Sequence, residues 1–294
     1  SSIAVTFDSG SNKVIAAFSD SASSNVGRAV VGTISSTSIC FGSESTFNND
    51  TTTVFGEGIS YDSSANKTVI AYRDTGNSNQ GTAVVATVSG TSISFGSESV
   101  FETGATQDIV CLYDPDNNKT NIFYMDGGNS DYGTAVIGTI SSTDITFTSP
   151  QIWYNDAGIN GLAGVYDTAA NKNVLTIRGA SAYGYAIPIT SDGSTFTVGS
   201  STTITTNAYG TYNHTAAVFD PDTGNTIFAF ADGDDSDKGK AAVFDTPATN
   251  LTSANYIGIS QGDVVYDIAT QAVGDTSVFK SGATSGFAAA FDSS

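Results

Sequence analysis

A repeat of about fifty residues is the feature that most limits how this chain can fold. The phrase at 81–101, GTAVVATVSGTSISFGSESVF, has near copies starting at Gly27 and at Gly133, which lie 54 residues upstream and 52 downstream. A second marker, an aromatic residue followed by Asp, keeps the same period and occurs at Phe7-Asp8, Tyr61-Asp62, Tyr113-Asp114, Tyr166-Asp167 and Phe219-Asp220. Such a period predicts units that bury their faces against their neighbours.

Within one repeat, the pattern predicts four short strands and no helix. In the second copy, runs rich in Val, Ile, Thr and aromatic residues at 58–61, 68–72, 82–88 and 92–101 are separated by polar turns. The second strands are apolar at nearly every position, which predicts that both faces of the sheet are covered. We therefore expect a single all-β domain, a β-propeller of four-stranded blades with a period of about 52 residues.

The number of blades depends on how the end of the chain is divided. The predicted repeats are 1–55, 56–107, 108–158, 159–211 and 212–253, followed by an irregular segment, 254–294. Four apolar runs, at 256–259, 264–268, 277–280 and 287–291, favour a sixth blade in that segment. Five blades with an insertion is the alternative. Because Phe291-Asp292 repeats the marker, we also expect that the chain is a segment of a longer polypeptide.

The charge of the chain excludes some partners. Twenty-nine acidic residues against 10 basic ones give a formal net charge of −19. A surface of this sign repels phosphate backbones and anionic lipids, so no nucleic-acid partner is expected. No apolar run in the sequence approaches the length of a membrane span, so we expect no membrane insertion either.

The recurring aspartates are predicted to close turns, because their carboxylates accept backbone N–H bonds at strand ends. One loop suggests a metal in addition. The loop 232–237 has oxygen ligands at alternate positions, as calcium loops do, but lacks the glycine and bidentate glutamate of an EF-hand; the candidate ligands are Asp232, Asp234 and Asp237. Calcium there and a solvated acidic turn are both left open, and no other cofactor is expected.

The inventory of reactive side chains excludes several catalytic mechanisms. The one histidine, His214, lacks the motif of a nucleophile elbow, and a multi-histidine metal site is excluded by number. The two cysteines, Cys40 and Cys111, are expected to be free and buried. We therefore predict a protein that is not an enzyme. The alternative is a secreted glycoside hydrolase or lyase that uses a pair of the many carboxylates.

The loops between second and third strands are the candidate ligand site. Repetition places equivalent loops on one rim of a propeller, where weak contacts add through multivalency. Their amide, carboxylate and aromatic side chains can bind sugars. The predicted ligand-binding residues are Asn77, Asn79, Asn129, Asp131 and Tyr132.

Repeats of the type YDSSANKTVIAYRDTGNSNQGTAVVATVSGTSISFGSESVF, followed by ATNLTSANYIG, resemble repeat regions of tail-fibre-like and other virion appendage proteins of marine phages, particularly cyanophages. Related repeats occur in proteins of marine bacterioplankton. The resemblance covers about residues 1–260 and transfers no catalytic residue. It implies a virion or extracellular location, a structural or host-attachment role, and partners such as other virion or surface-fibre subunits and cell-surface glycans.

Overall fold

The computed structural model describes residues 3–156, 158–179, 181–206, 215–246 and 277–283. In this part of the chain the regular structure is strand, apart from two single-turn 3-10 helices, Ser21–Ser23 and Gly233–Asp235. The prediction of an all-β protein is confirmed. The chain divides into two compact units, the first formed by 1–155 with 192–195 and the second by 156–191 with 196–294.

The first unit contains three repeats, and all of its sheet pairs are antiparallel apart from one parallel bridge. Its strands are β1 (Ile3–Asp8), β2 (Lys13–Asp20), β3 (Val26–Ser35), β4 (Ser38–Phe41), β5 (Ser45–Asp62), β6 (Lys67–Asp74), β7 (Gln80–Ser89), β8 (Ser92–Phe95), β9 (Ser99–Asp114), β10 (Lys119–Asp126), β11 (Tyr132–Ser141), β12 (Asp144–Phe147) and β13 (Gln151–Tyr154).

Long strands carry the chain from one repeat to the next. The first part of β5 pairs with β3, and its second part pairs with β6. In the same way β9 pairs first with β7 and then with β10. The short strands β4 and β8 pair with the remaining length of β3 and β7. We call the long strands β5 and β9 crossovers, because each ends one sheet and begins the next. One sheet is therefore formed per sequence repeat.

The core lies between the faces of successive sheets. Ile15 and Val31 of the first repeat pack in one cluster with Ile70 and Tyr72 of the second. Val69, which points to the other side of β6, belongs to the cluster shared with the third repeat. Alternate residues of one strand therefore serve two different cores. The prediction that both faces of the second strands are covered is confirmed for β6.

First strands of neighbouring repeats also lie side by side. Glu57 of β5 and Val110 of β9 form a parallel bridge. The backbone N–H of Gly10, after β1, donates to the hydroxyl of Tyr61, at the end of β5, at 3.1 Å. Parallel first strands are the arrangement expected of blades around an axis. Closure into a propeller and the number of blades remain predictions.

The second unit contains two repeats. Its strands are β14 (Asn160–Asp167), β15 (Lys172–Arg178), β16 (Gly184–Ser191), β17 (Phe196–Val198), β18 (Thr202–Thr205), β19 (Thr215–Asp220), β20 (Asn225–Asp232), β21 (Lys238–Asp245) and β22 (Ser277–Ala283). Antiparallel pairing links β14, β15, β16 and β17, with β18 also on β16, and it links β19, β20, β21 and β22.

The pairing of β22 differs from the sequence-based expectation. Residues 277–280 were predicted to start a strand of a sixth blade, but β22 pairs with β21 and occupies the fourth position in the sheet of the fifth repeat. The physical reason is the likeness of this segment to 99–106, which fills the same position beside β7. The other three runs predicted for the sixth blade lie outside the described residues.

Both cysteines are free, as expected, but only Cys111 is buried. The prediction of a buried Cys40 is wrong. Side chains alternate along the short fourth strands, so that in the second repeat Ile93 points to the core while Ser94, the counterpart of Cys40, is exposed.

Candidate functional site

One end of the first unit is built from loops and crossovers that bond to each other in turn. The loop after β6 contacts the crossover before it, where the Gly76 N–H donates to the Thr51 carbonyl at 2.9 Å. It also contacts the crossover after it, where Thr106 N–H donates to the Asn79 carbonyl at 2.9 Å. The loop after β10 continues the series through Gly127 N–H and the Ala105 carbonyl, at 2.7 Å. We call residues 48–53, 74–80, 102–106 and 126–132 the acidic rim.

An aspartate ends the second strand in four of the five repeats, and its first role is local. The Asp126 carboxylate accepts the Gly128 N–H at 3.0 Å, and Asp74 accepts the Asn77 N–H at 3.2 Å. The marker aspartates act similarly: Asp62 accepts backbone N–H groups at 2.9 Å in the turn after β5. The prediction that these aspartates close turns is confirmed.

The charge of the strand-ending aspartate is neutralised in the first and fifth repeats. Asp20 forms an ion pair with Arg28 at 3.1 Å, and Asp232 forms one with Lys240 at 2.5 Å. Arg28 and Lys240 hold the same place in the third strand, opposite Phe18 and Phe230. A cation at this place therefore offsets the acid beside it.

The second and third repeats lack that cation. Thr82 and Thr134 stand opposite Tyr72 and Tyr124, where the other two repeats have a basic residue. Asp74 and Asp126 form no ion pair with any residue in the described part of the chain. The buried carboxylates of Asp74 and Asp126 thus accept N–H groups of their own turns without a basic partner among the described residues.

In the third repeat the uncompensated acid is paired with a second carboxyl group. Glu102 Oε2 accepts the Tyr124 hydroxyl at 3.1 Å, and Oε1 accepts the Gly104 N–H at 2.8 Å. Asp126 is buried, with 6% of its surface exposed. Burial raises the pKa of the Asp126 carboxyl, and the negative charges of Glu102 and Asp131 raise it further. Hydrogen bonds from the backbone N–H groups of Gly128 and Asn129 lower it in part.

Gly104 allows its crossover to pack closely against the loop after β10, beside these two carboxyl groups. A Cβ atom on Gly104 would lie 3.1 Å from the Gly128 Cα, 3.3 Å from Glu102 Oε1 and 3.4 Å from Asp126 Oδ1. Both oxygens therefore lie close to one point and are at most about 7 Å apart, which is below the upper limit of roughly 9.5 Å for the two carboxyl groups of glycosidases. In the preceding crossover the aligned residue is Asp50, whose side chain fills the equivalent space beside Gly76.

The structure places all five predicted ligand-binding residues on the acidic rim. Asn77 and Asn129 are exposed, whereas Asn79, Asp131 and Tyr132 are half-buried. Left-handed backbone recurs at equivalent positions of the two loops, with φ of 63° at Asn79 and 56° at Asp131, so the loops have the same shape. Of the five, Asp131 lies close enough to Asp126 to affect its pKa.

Sequence reasoning missed the close approach of Glu102 and Asp126. Asp126 was predicted only to close a turn, and Glu102 was not singled out. A signal was available, because Thr134 replaces the basic residue found at Arg28 and Lys240. The replacement can be interpreted only when β10 is known to pair with β11, because this pairing places Thr134 beside the second strand.

At the predicted calcium loop, a lysine forms an ion pair with one of the aspartates that would bind the metal. Lys240 Nζ contacts Asp232 Oδ2 at 2.5 Å, and Lys238 Nζ contacts Asp235 at 2.7 Å. The described residues contain no group of three acidic, histidine or cysteine side chains placed to hold a metal ion. Calcium at Asp232, Asp234 and Asp237 stays a prediction that requires Lys240 to be displaced. His214 lies outside the described residues.

Comparison with known proteins gives structural neighbours only. No family model and no curated protein matches the sequence. Two solved structures of an exo-β-1,3-galactanase from Phanerochaete chrysosporium, one with galactose and a substituted form with β-1,3-galactotriose, match with a TM-score of 0.48 and 11% identity. The match covers 78% of this chain and 56% of each of those chains.

These neighbours are enzymes, and the prediction that the chain is not an enzyme is contradicted. At 11% identity they assign no residue and no substrate to this chain. Among the described residues, no helix has the length and apolar character needed to cross a membrane.

Proposed function

We propose that this chain hydrolyses a glycosidic bond at the carboxyl pair of the third repeat, on a β-propeller whose first strands surround the axis. Asp126 is the proton donor to the leaving-group oxygen. Glu102 is the second carboxylate, which attacks the anomeric carbon or activates the water that does so. The reaction adds water across the bond between two sugar units and needs no redox partner.

The observation that carries this proposal is the contrast in environment between the two acids. Burial and a neighbouring carboxylate keep the pKa of Asp126 above its ordinary value, which favours a proton donor. Glu102 is oriented by two hydrogen bonds, from Tyr124 and from the Gly104 backbone. No cation of the described chain pairs with Asp126, in contrast to Asp20.

The substrate class follows from the side chains around the pair. Asn129, Asp131 and Tyr132 offer an amide, a carboxylate and an aromatic hydroxyl group on the loop next to Asp126. These groups suit sugar hydroxyls, and the negative charge of the rim disfavours anionic sugars. We therefore propose a neutral glycan as the substrate. A virion or surface-fibre location and the associated partner subunits stay predictions.

The test compares variants at equivalent positions of two repeats. Hydrolysis of neutral β-linked polysaccharides and aryl glycosides is measured for the parent, Asp126→Asn, Glu102→Gln and the matched control Asp20→Asn. The first two variants should lose activity by about 100-fold or more, because each removes one acid–base group. Asp20→Asn should keep full activity and melt at a lower temperature, because it loses the ion pair with Arg28.

Thermal melting separates a catalytic role from a structural one. Asp126→Asn should melt at or above the parent temperature, because the amide still accepts the Gly128 N–H and no longer adds a buried negative charge. The proposal is refuted if the parent cleaves no member of the panel, or if cleavage survives both Asp126→Asn and Glu102→Gln.

A further inference from the structure

Neighbouring repeats within each unit pack in one direction, through two different faces of the sheet. The front face is the side that holds, in the second repeat, Ile70, Tyr72 and Val84. It packs on the back face of the first repeat, the side that holds Ile15, Ala17, Ala29 and Val31. The third repeat packs on the second in the same way, and so does the fifth repeat on the fourth. In these junctions a front face therefore takes the back face of another repeat.

The front face of the first repeat is apolar and exposed. Val5 is 57% exposed and Phe41 is 56% exposed, whereas their counterparts in the second repeat, Ile59 and Phe95, pack in the core between the first two repeats. Ile34 and Ile39 are exposed beside them, and the half-buried residues of this face are Ala16, Phe18 and Val30. Contiguous exposed apolar residues mark an interaction site, and the end of a stacked array needs a polar outer face to stay in solution. This face thus has the composition of a junction between repeats.

The back face of the fifth repeat is the matching surface. Its central residues form the cross-strand pairs Ile227–Val243 and Ala229–Ala241. The back face of the first repeat has the same residue types in the same pairs, Ile15–Val31 and Ala17–Ala29. The four residues of the first repeat are fully buried under the second repeat, whereas the four residues of the fifth repeat are only half-buried. The fifth repeat therefore presents the surface on which a front face packs elsewhere in the chain.

We propose that the front face of the first repeat docks on the back face of the fifth repeat of a second copy of this chain. Both faces are accessible in the single chain, so a second copy can cover each of them. The contact is head-to-tail, because it joins two different surfaces, and contacts of this kind close into rings or continue as fibres. A ring of copies keeps the first strands around one axis. The inference is independent of the proposed reaction, because neither face contains a residue of the acidic rim.

The experiment blocks one face at a time and measures mass by sedimentation under reducing conditions. Phe41→Glu places a charge on the front face of the first repeat, and Ala241→Glu places one on the back face of the fifth. The matched control is Cys40→Glu. Cys40 is exposed on the same strand as Phe41, and its side chain points to the opposite side. Ala229→Glu is the second back-face variant, used if circular dichroism shows that Ala241→Glu does not fold.

The parent and Cys40→Glu should sediment with a mass of two chains or more at micromolar concentrations. Each blocked variant should self-associate with a dissociation constant raised by about 30-fold or more, the effect of losing a central contact of an interface. An equimolar mixture of Phe41→Glu and Ala241→Glu should form a dimer of one chain of each. The first variant retains the intact back face and the second retains the intact front face, so one junction is restored.

Three results would overturn the docking. A parent that sediments as a single chain would show that its faces are covered without a second copy. Undiminished association of Ala241→Glu would show that front faces pair with each other. A mixture that stays monomeric, although both variants match the circular dichroism and melting temperature of the parent, would show that these two faces do not fit. Hydrolysis by the acidic rim is measured separately and decides none of these results.

Discussion

The turn after β5 gives the sharpest test of what the repeated aspartates do for stability. Asp62 is 2% exposed, and its Oδ1 accepts the backbone N–H of Ser64 and of Ala65 at 2.9 Å, and the Ser64 hydroxyl at 2.8 Å. Asp62→Ala removes all three bonds. Because water reaches the turn and can replace part of the loss, we take about 1 kcal/mol per bond, or about 3 kcal/mol in total.

A loss of this size should lower the melting temperature by about 6–12 °C. The assay is thermal unfolding followed by circular dichroism at neutral pH, with Asp62→Asn as the matched variant. Asparagine keeps the Oδ1 acceptor, so it should lose less than half as much stability. Sugar binding on the acidic rim should not change in either variant. Melting of Asp62→Ala within 1 °C of the parent would show that the carboxylate does not hold the turn.

Three further predictions concern the core, the thiols and pH. Gly81→Ala should cost about 1–3 kcal/mol in urea unfolding, because its Cβ would lie 2.4 Å from the ring of Phe101, which is only 5% exposed; unchanged stability would refute this packing. A native protein should react quickly with one equivalent of a thiol reagent, at Cys40, because burial raises the pKa of the Cys111 thiol; two fast equivalents would contradict it. Since the folded pKa of Asp126 is raised above the ordinary 3.8, its destabilising effect is absent below 3.8, grows between 3.8 and the folded pKa, and is constant above the folded pKa, so the melting advantage of Asp126→Asn should vanish in acid. A constant advantage at all pH values would refute that last assignment.

The sequence alone was sufficient for features that depend on short-range interactions. Strand positions follow from alternation and from β-branched content, and the turn at Asp62 follows from a carboxylate two or three residues before the N–H groups that it accepts. The apolar run of β6 correctly indicated a strand buried on both faces, as Val69 and Ile70 in separate cores demonstrate. Each of these properties is encoded within a few neighbouring residues, so a single repeat contains the information.

Only the tertiary structure decided which acids differ from the rest. Asp126 and Asp20 have the same place in the repeat, and their local turns give no hint that one is paired with a cation and the other faces Glu102. The distinction arises from residues that are distant in sequence and adjacent across strands, where electrostatic energy depends on spatial separation and burial. The same holds for β22, whose partner β21 is fixed by pairing across an intervening segment. Contacts of this kind are settled when sheets form and stack, which is why the repeat pattern predicted the scaffold and not the site.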